Sequence, residues 1–226
     1  MVIAPMMTVI GVSFERYKFH RLLTVVRFML EPLRPFYNTT LRPAARLVLR
    51  IGIHPNHVTI FGCMLFVAAA LMAAASRWYS ALVLVILGSL MDGLDGVLAR
   101  ESGKTTLFGG VLDSTCDRIT EMVLLGGLAY YYLQQGNSEL VPGTMLCFTA
   151  LCASVLVSYI KARCEAAGIP CNRGILQRPE RLILFCVGLL AGPHIMIWIL
   201  GLVTGAAAIT VIQRMFQAAS VPEHTG

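Results

Sequence analysis

Asp92, Asp95, Asp113 and Asp117 all fall within MDGLDGVLARESGKTTLFGGVLDSTCDR, residues 91–118. The first two are three residues apart and the last two four apart, so on helices each pair shares a face. If those helices are consecutive and antiparallel, joined by the polar ESGKTT loop, the pairs face each other and four carboxylates converge. In apolar surroundings each charge would cost several kcal/mol or take up a proton, and clustering makes ionisation harder still. Hard divalent cations resolve that conflict. Two Mg²⁺ or Mn²⁺ ions would neutralise the four carboxylates, and the expected partner of such ions is a phosphate-bearing substrate.

Gly93, Gly96 and Gly109 flank the carboxylates, where a missing side chain lets a ligand approach the backbone. Gly110 has an equal claim as a close contact between helices. Arg100, eight residues after Asp92, falls about two turns along on nearly the same face, placed to grip a phosphate. Standing alone, it would be an ordinary positive-inside anchor.

The composition restricts which elements can hold these residues. The chain has 226 residues, 57% hydrophobic and 13% charged, with a mean hydropathy of +0.73. Those values exclude an ordinary soluble domain and define an integral membrane protein. A hydrocarbon core of ~30 Å needs about 20 apolar residues per helix. Six stretches are candidates, at about 57–76, 78–99, 106–133, 141–165, 181–192 and 194–213, the fifth being short. The expected fold class is therefore all-α integral membrane, with six transmembrane helices.

Ahead of the first span, Arg42, Arg46 and Arg50 recur every four residues in LRPAARLVLRI, with Leu41, Ala45, Val48 and Leu49 filling much of the rest. This pattern predicts an amphipathic interfacial helix with its basic stripe toward anionic head groups. A simple stop to translocation is the alternative. In HPNHVT, Asn56 is the expected helix cap. The chain divides into an N-terminal segment 1–50, a helical domain 51–215 and a short tail 216–226.

The formal charge is +6. With a cytoplasmic N-terminus, all of the 18 Lys and Arg except Arg77 fall on the cytoplasmic side or in the cytoplasmic ends of spans. The expected location is thus the cytoplasmic membrane, multi-pass, with the aspartates at the cytoplasmic margin. The first ten residues lack a basic start and a small-residue cleavage site, so no signal peptide is expected. The 7 cysteines stand singly and are expected to be reduced packing residues. Arg118 and Glu121, three apart, are expected to compensate each other.

A second basic stretch, SYIKARCEAAGIPCNRGILQRPERLILF at 158–185, holds Lys161, Arg163, Arg173, Arg178 and Arg181 against Glu165 and Glu180. That excess of cations suits a phosphorylated substrate, with positive-inside bias accounting for part of it.

The run Asp92-Gly-Leu-Asp95-Gly96-Val-Leu-Ala99-Arg100, followed by Gly109, Asp113 and Asp117, resembles the D-x2-D-G-x2-A-R-x8-G-x3-D-x3-D signature of CDP-alcohol phosphotransferases without departure. The resemblance covers roughly 50–213 and implies six transmembrane helices, a homodimer, and transfer of a phosphatidyl or similar group from a CDP-linked lipid to an alcohol, with release of CMP. It implies metal-ligand roles for Asp92, Asp95 and Asp113, and both a metal approach and a general-base role for Asp117. Gly93, Gly96, Ala99, Arg100 and Gly109 resemble the cytidine and diphosphate pocket, and Asn56 and Thr59 match a PN-x-x-T pattern assigned to the donor site. The 158–185 stretch looks like the SYxKARAE…G…RxER pattern of the branch that uses inositol 1-phosphate, departing from it at Cys164 and Gln177. On that likeness Ser158, Lys161, Arg163 and Arg181 would hold the acceptor phosphate, with Arg178 nearby.

Inositol 1-phosphate is therefore the expected acceptor, with glycerol 3-phosphate the alternative. The other expected partners are the CDP-linked lipid and membrane lipids; no nucleic acid is expected. Intramembrane carboxylates also mark ion-coupled transporters. A transporter site is expected near the midplane on broken, repeated helices, whereas this cluster lies at one face of a chain without internal repeats.

Overall fold

The computed structural model describes residues 33–103, 105–135, 141–169, 174 and 176–220. Residues 1–32 of the N-terminal segment, Arg173, Cys171 and residues 221–226 of the tail lie outside the described residues. The described chain is all helical: α1 Leu33–Arg50, α2 Pro55–Ala74, α3 Trp78–Glu101, α4 Leu107–Gln134, α5 Val141–Ala166, α6 Arg178–Ala191 and α7 Pro193–Ala219. Each of the six apolar stretches falls on its own helix, and LRPAARLVLRI falls on α1.

Four of these helices, α2, α3, α5 and α7, are long and apolar enough to cross a membrane. The other two expected spans, α4 and α6, depart from the six-span expectation for different reasons. α4 has 28 residues but carries Asp113, Asp117 and Arg118 in its first half and Glu121 at its midpoint. α6 has 14 residues, which at 1.5 Å per residue extend only about 21 Å.

α2 packs on α3 and α4, α4 on α5, α5 on α7, α6 on α7 and α3. In lipid, apolar side chains gain little by leaving their surroundings, so helix association rests on close fit. Small residues supply that fit here. A Cβ on Gly127 of α4 would stand 2.4 Å from the Ala70 carbonyl oxygen of α2, and one on Gly88 of α3 would stand 2.7 Å from the Phe66 ring. Around these crossings Phe66, Leu124, Leu128, Phe185, Leu189 and Leu200 form one buried cluster drawn from four helices. Other large apolar residues, among them Leu71, Leu133, Phe148 and Trp198, are more than half exposed, as lipid-facing positions are.

The helix starts are set locally. His54, not Asn56, caps α2: its Nδ1 accepts from the Asn56 N–H at 3.4 Å. Pro55 then occupies the first helical position, where its fixed φ and missing N–H cost nothing. Thr106 caps α4, its Oγ1 accepting from the Gly109 N–H at 2.9 Å. Between α3 and α4, Gly103 adopts φ +65°, a left-handed conformation that favours glycine and helps reverse the chain.

α1 lies against the end of α3. Ala45, with Leu41, Val48 and Leu49, packs on Val58, Leu94, Val97 and Leu98. Arg42 and Arg46 reach Glu101 at 3.3 and 3.8 Å. Part of the basic stripe is therefore tied to the bundle, and Arg42 and Arg46 remain more than half exposed.

Candidate metal centre and adjacent basic cavity

The α3–α4 reversal brings three of the four aspartates together. One carboxylate oxygen each from Asp92, Asp113 and Asp117 lies within 4.8 Å of the other two. An octahedral Mg²⁺ with ligands at about 2.0–2.1 Å holds neighbouring oxygens about 3 to 4 Å apart. A small contraction of these side chains would complete such a site, and the all-carboxylate donor set suits a hard divalent cation.

Asp95 differs. It is buried, and its Oδ2 accepts a 2.5 Å hydrogen bond from the Thr59 hydroxyl. A short bond to a carboxylate compensates much of the cost of burying the charge. Thr59, expected on the donor side, therefore orients Asp95 from α2. It is the neighbour of the three-carboxylate group rather than part of it.

Arg178, in the first turn of α6, reaches into the same group. Its Nη1 donates to Asp92 Oδ2 at 3.0 Å and lies 2.5 Å from Asp117 Oδ1, and its Nη2 donates to Thr120 Oγ1 at 3.3 Å. The Asp117 contact is an ion pair without hydrogen-bond geometry, since Asp117 Oδ1 is buried and has no hydrogen-bond partner among the described residues.

On the α3 side, the Arg100 guanidinium folds back over Gly96: a Cβ there would stand 3.4 Å from Arg100 Nη1. Across the helix pair, Asn56 and Thr106 converge on Gly109, whose added Cβ would meet Thr106 Oγ1 at 3.1 Å and Asn56 Oδ1 at 3.5 Å. The structure thus gathers Asn56 with Gly109, and Gly96 with Arg100. Gly93 and Ala99 are half-buried on α3 beside them. Gly110 meets nothing within 4 Å among the described residues, so it makes no close helix contact there.

Beside Asp117 a cavity of about 390 Å³ opens. Ser158, Lys161, Arg178 and Arg181 line it, as do Arg118, Gln177 and Arg214. Arg163 does not line it and is exposed; two residues beyond Lys161, it is turned roughly 200° around α5. Lys161 reaches Glu165 at 3.6 Å along the same helix. Arg181 is buried and pairs with Glu121 through two 2.7 Å bonds, Nε to Oε1 and Nη2 to Oε2. This corrects the expected Arg118–Glu121 pair: Arg118 Nη1 donates instead to the Ser114 carbonyl one turn back. Arg214 enters from α7, buried, with Nη1 donating to the Val157 carbonyl at 2.5 Å. It was not foreseen. The available signal is that Arg214 is the sole Lys or Arg of α7.

A membrane-embedded all-helical bundle with clustered aspartates beside a basic cavity defines a phosphoryl-handling membrane enzyme. The profile described as CDP-alcohol phosphatidyltransferase matches residues 52–218. The chain belongs to that family, is an enzyme of that type in phospholipid biosynthesis, and is a multi-pass membrane protein. Enzyme membership removes the transporter alternative. The chain is 36% identical over 190 residues to a phosphatidylinositol phosphate synthase of Mycobacteroides abscessus, covering 80% of this chain and 84% of that protein. It is 38% identical over 192 residues to one from Mycobacterium marinum, covering 81% of each. Among solved structures, the Mycobacterium tuberculosis phosphatidylinositol phosphate synthase with CDP-DAG bound superposes with a TM-score of 0.75 at 34% identity, over 82% of this chain and 96% of that one. The same enzyme in complex with manganese and citrate gives a TM-score of 0.76 at 34% identity, over 82% of this chain and 92% of that one.

The six free cysteines of the described residues, Cys63, Cys116, Cys147, Cys152, Cys164 and Cys186, form no disulfide.

Proposed function

We propose that the chain transfers a phosphatidyl group from CDP-diacylglycerol, or a similar CDP-linked lipid, to inositol 1-phosphate, releasing CMP. The observation that carries this reading is the junction at Asp117, which belongs to the three-carboxylate group and also lines a cavity with Arg118, Lys161, Arg178, Arg181 and Arg214. Five cations against Asp117 and Glu121 suit an acceptor that carries its own phosphate. The similarity to phosphatidylinositol phosphate synthases supports the same acceptor, and the likeness to a structure holding CDP-DAG supports the donor.

One or two divalent ions, Mg²⁺ or Mn²⁺, held by Asp92, Asp113 and Asp117 with Asp95, would draw charge from the donor diphosphate as CMP departs. The chain's own residues do the rest. Gly93, Gly96, Ala99 and Gly109 leave room for the nucleotide, while Arg100, Asn56 and Thr59 border that space from α3 and α2. Ser158, Lys161, Arg178 and Arg181, joined by Arg118 and Arg214, orient the acceptor phosphate. Arg163 lies off that wall. Asp117 takes the proton of the acceptor hydroxyl as its oxygen bonds to the phosphatidyl phosphorus and the bond from that phosphorus to CMP breaks. Holding the two substrates together supplies much of the rate of such transfers.

In this reading α4 and α6 complete a six-helix membrane domain over 51–215, with α1 at the interface and 216–226 as a tail. The active site faces the cytoplasm, the location is the cytoplasmic membrane, and two chains form a homodimer. Glycerol 3-phosphate is the second acceptor considered, because it too presents a phosphate to the cations.

The test is CMP release by purified protein given CDP-diacylglycerol, Mg²⁺ and, separately, inositol 1-phosphate, inositol or glycerol 3-phosphate. Release with inositol 1-phosphate alone is expected. Release with glycerol 3-phosphate alone overturns the acceptor assignment.

A further inference from the structure

Arg178 belongs to both halves of the site at once. It lines the basic cavity, yet its Nη1 sits 3.0 Å from Asp92 Oδ2 and 2.5 Å from Asp117 Oδ1. Those carboxylates are two of the three in the candidate metal group. A Mg²⁺ bonded to them at about 2.1 Å would lie almost against a guanidinium at such distances, and the two cations would repel. Both cannot hold these carboxylates at full strength.

The contacts are suited to exchange. The bond to Asp92 is a well-formed charge-assisted hydrogen bond, whereas the approach to Asp117 is an ion pair without hydrogen-bond geometry. Arginine is long, and its stem begins at the first turn of α6 beside Gln177 and Pro179. A change of side-chain rotamer alone moves the guanidinium several ångströms along the cavity wall. Waiting there is a field of Arg118, Lys161 and Arg214, in which a fourth cation is favourable only when an anion is present.

We propose that Arg178 is an exchangeable counter-ion: it neutralises Asp92 and Asp117 until a divalent metal takes their oxygens, and the displaced guanidinium then binds the acceptor phosphate. The proposal rests on the metal-dependent reading above and adds a linkage to it. Metal binding arms the acceptor site, and phosphate in the cavity, by holding Arg178 away, tightens metal binding by the same factor. Arg178 is thus a positioning residue for the metal as well as a contact for the acceptor.

The test is equilibrium Mn²⁺ binding to the purified full-length protein, read by the paramagnetic resonance signal of free Mn²⁺, with and without inorganic phosphate. In the unsubstituted chain phosphate is expected to tighten Mn²⁺ binding, by a factor in the roughly 5- to 150-fold range of ordinary couplings. In Arg178→Gln the competitor is gone, so Mn²⁺ binds about tenfold or more tightly without phosphate and phosphate adds little. Arg118→Gln, which removes a nearby positive charge that contacts Ser114 rather than the carboxylates, controls for simple charge loss and changes Mn²⁺ affinity by no more than about fivefold. Arg178→Lys keeps the charge of the first turn but cannot span two carboxylates; it should show a weakened phosphate effect even if the glutamine variant does not fold. An Arg178→Gln protein that binds Mn²⁺ no more tightly than Arg118→Gln overturns the exchange, as does an undiminished phosphate effect in Arg178→Lys. Absence of Mn²⁺ binding by the unsubstituted chain overturns the metal-dependent reading itself, and the exchange with it.

Discussion

Arg181 and Glu121 hold each other through two parallel bonds of 2.7 Å, with side chains only 4% and 12% exposed. The pair joins α6 to α4 at the floor of the basic cavity. A buried pair of this kind contributes little over apolar residues of equal size, but removing one partner leaves an uncompensated charge that costs about 3–5 kcal/mol. Glu121→Ala should therefore lower thermal stability in detergent strongly. The double variant Glu121→Leu, Arg181→Met should recover most of that stability and still fail to release CMP, because a cavity cation is gone. Recovery of both stability and turnover would mean that Arg181 serves only to pair Glu121.

The Thr59–Asp95 bond makes a second prediction. Both residues are buried, and Asp95 Oδ2 has the Thr59 hydroxyl 2.5 Å away. Thr59→Val keeps the shape and removes the donor, leaving a buried carboxylate oxygen short of a partner at about 1–3 kcal/mol. Stability should fall by that order, and CMP release should fall with it because Asp95 loses its orientation. Thr59→Ser should restore both. If serine fails to rescue, packing of the threonine methyl rather than its hydroxyl is what matters.

Much of this architecture was legible in the sequence because the signals are local. Apolar runs located the six helices that follow α1 to within three residues, except that α7 runs six residues past 213, and the spacing of the aspartates anticipated the meeting of Asp92, Asp113 and Asp117 but not that Asp95 would turn to Thr59. Partner choice was not legible. Arg118 is the helical neighbour of Glu121, yet the rotation of α4 points Glu121 at Arg181, 60 positions along the chain. Arg214 enters the cavity from a helix otherwise read as a plain span, and its side chain meets the Val157 carbonyl only because α5 and α7 pack together. Asn56 was displaced from its expected capping role because His54 caps α2 and Pro55 starts it two residues earlier, which leaves the Asn56 amide to face Gly109.

Adjacent glycines on α4 give a third prediction. A Cβ on Gly126 meets nothing within 4 Å, whereas one on Gly127 would stand 2.4 Å from the Ala70 carbonyl oxygen and 2.8 Å from its Cα. Backbone cannot swing aside as a side chain can. Gly126→Ala should leave folding unchanged or stabilise it by up to about 1 kcal/mol through helix propensity. Gly127→Ala should force α2 and α4 apart and sharply reduce the yield of monodisperse protein. Equal behaviour of the two variants, judged by size-exclusion profile and melting temperature, would show that the crossing yields more readily than a tight glycine contact should.

The fourth prediction concerns Asp117, where the carboxylate group and the cavity share one side chain. Changing Asp117 leaves Asp92 and Asp113 of the three-carboxylate group, and the space around Gly96, Arg100 and Gly109 is built by α2, α3 and the start of α4. Asp117→Asn keeps volume but cannot accept the acceptor proton. CMP release should fall by two to four orders of magnitude, the order of a lost general base at ~10²–10⁴-fold, while binding of CDP-diacylglycerol measured by calorimetry in micelles changes little. The same substitution removes the anion that holds Arg178 at 2.5 Å, so inositol 1-phosphate should bind as well as before or better. Parallel loss of donor binding and turnover would instead make Asp117 chiefly a metal ligand, with the proton going to another acceptor.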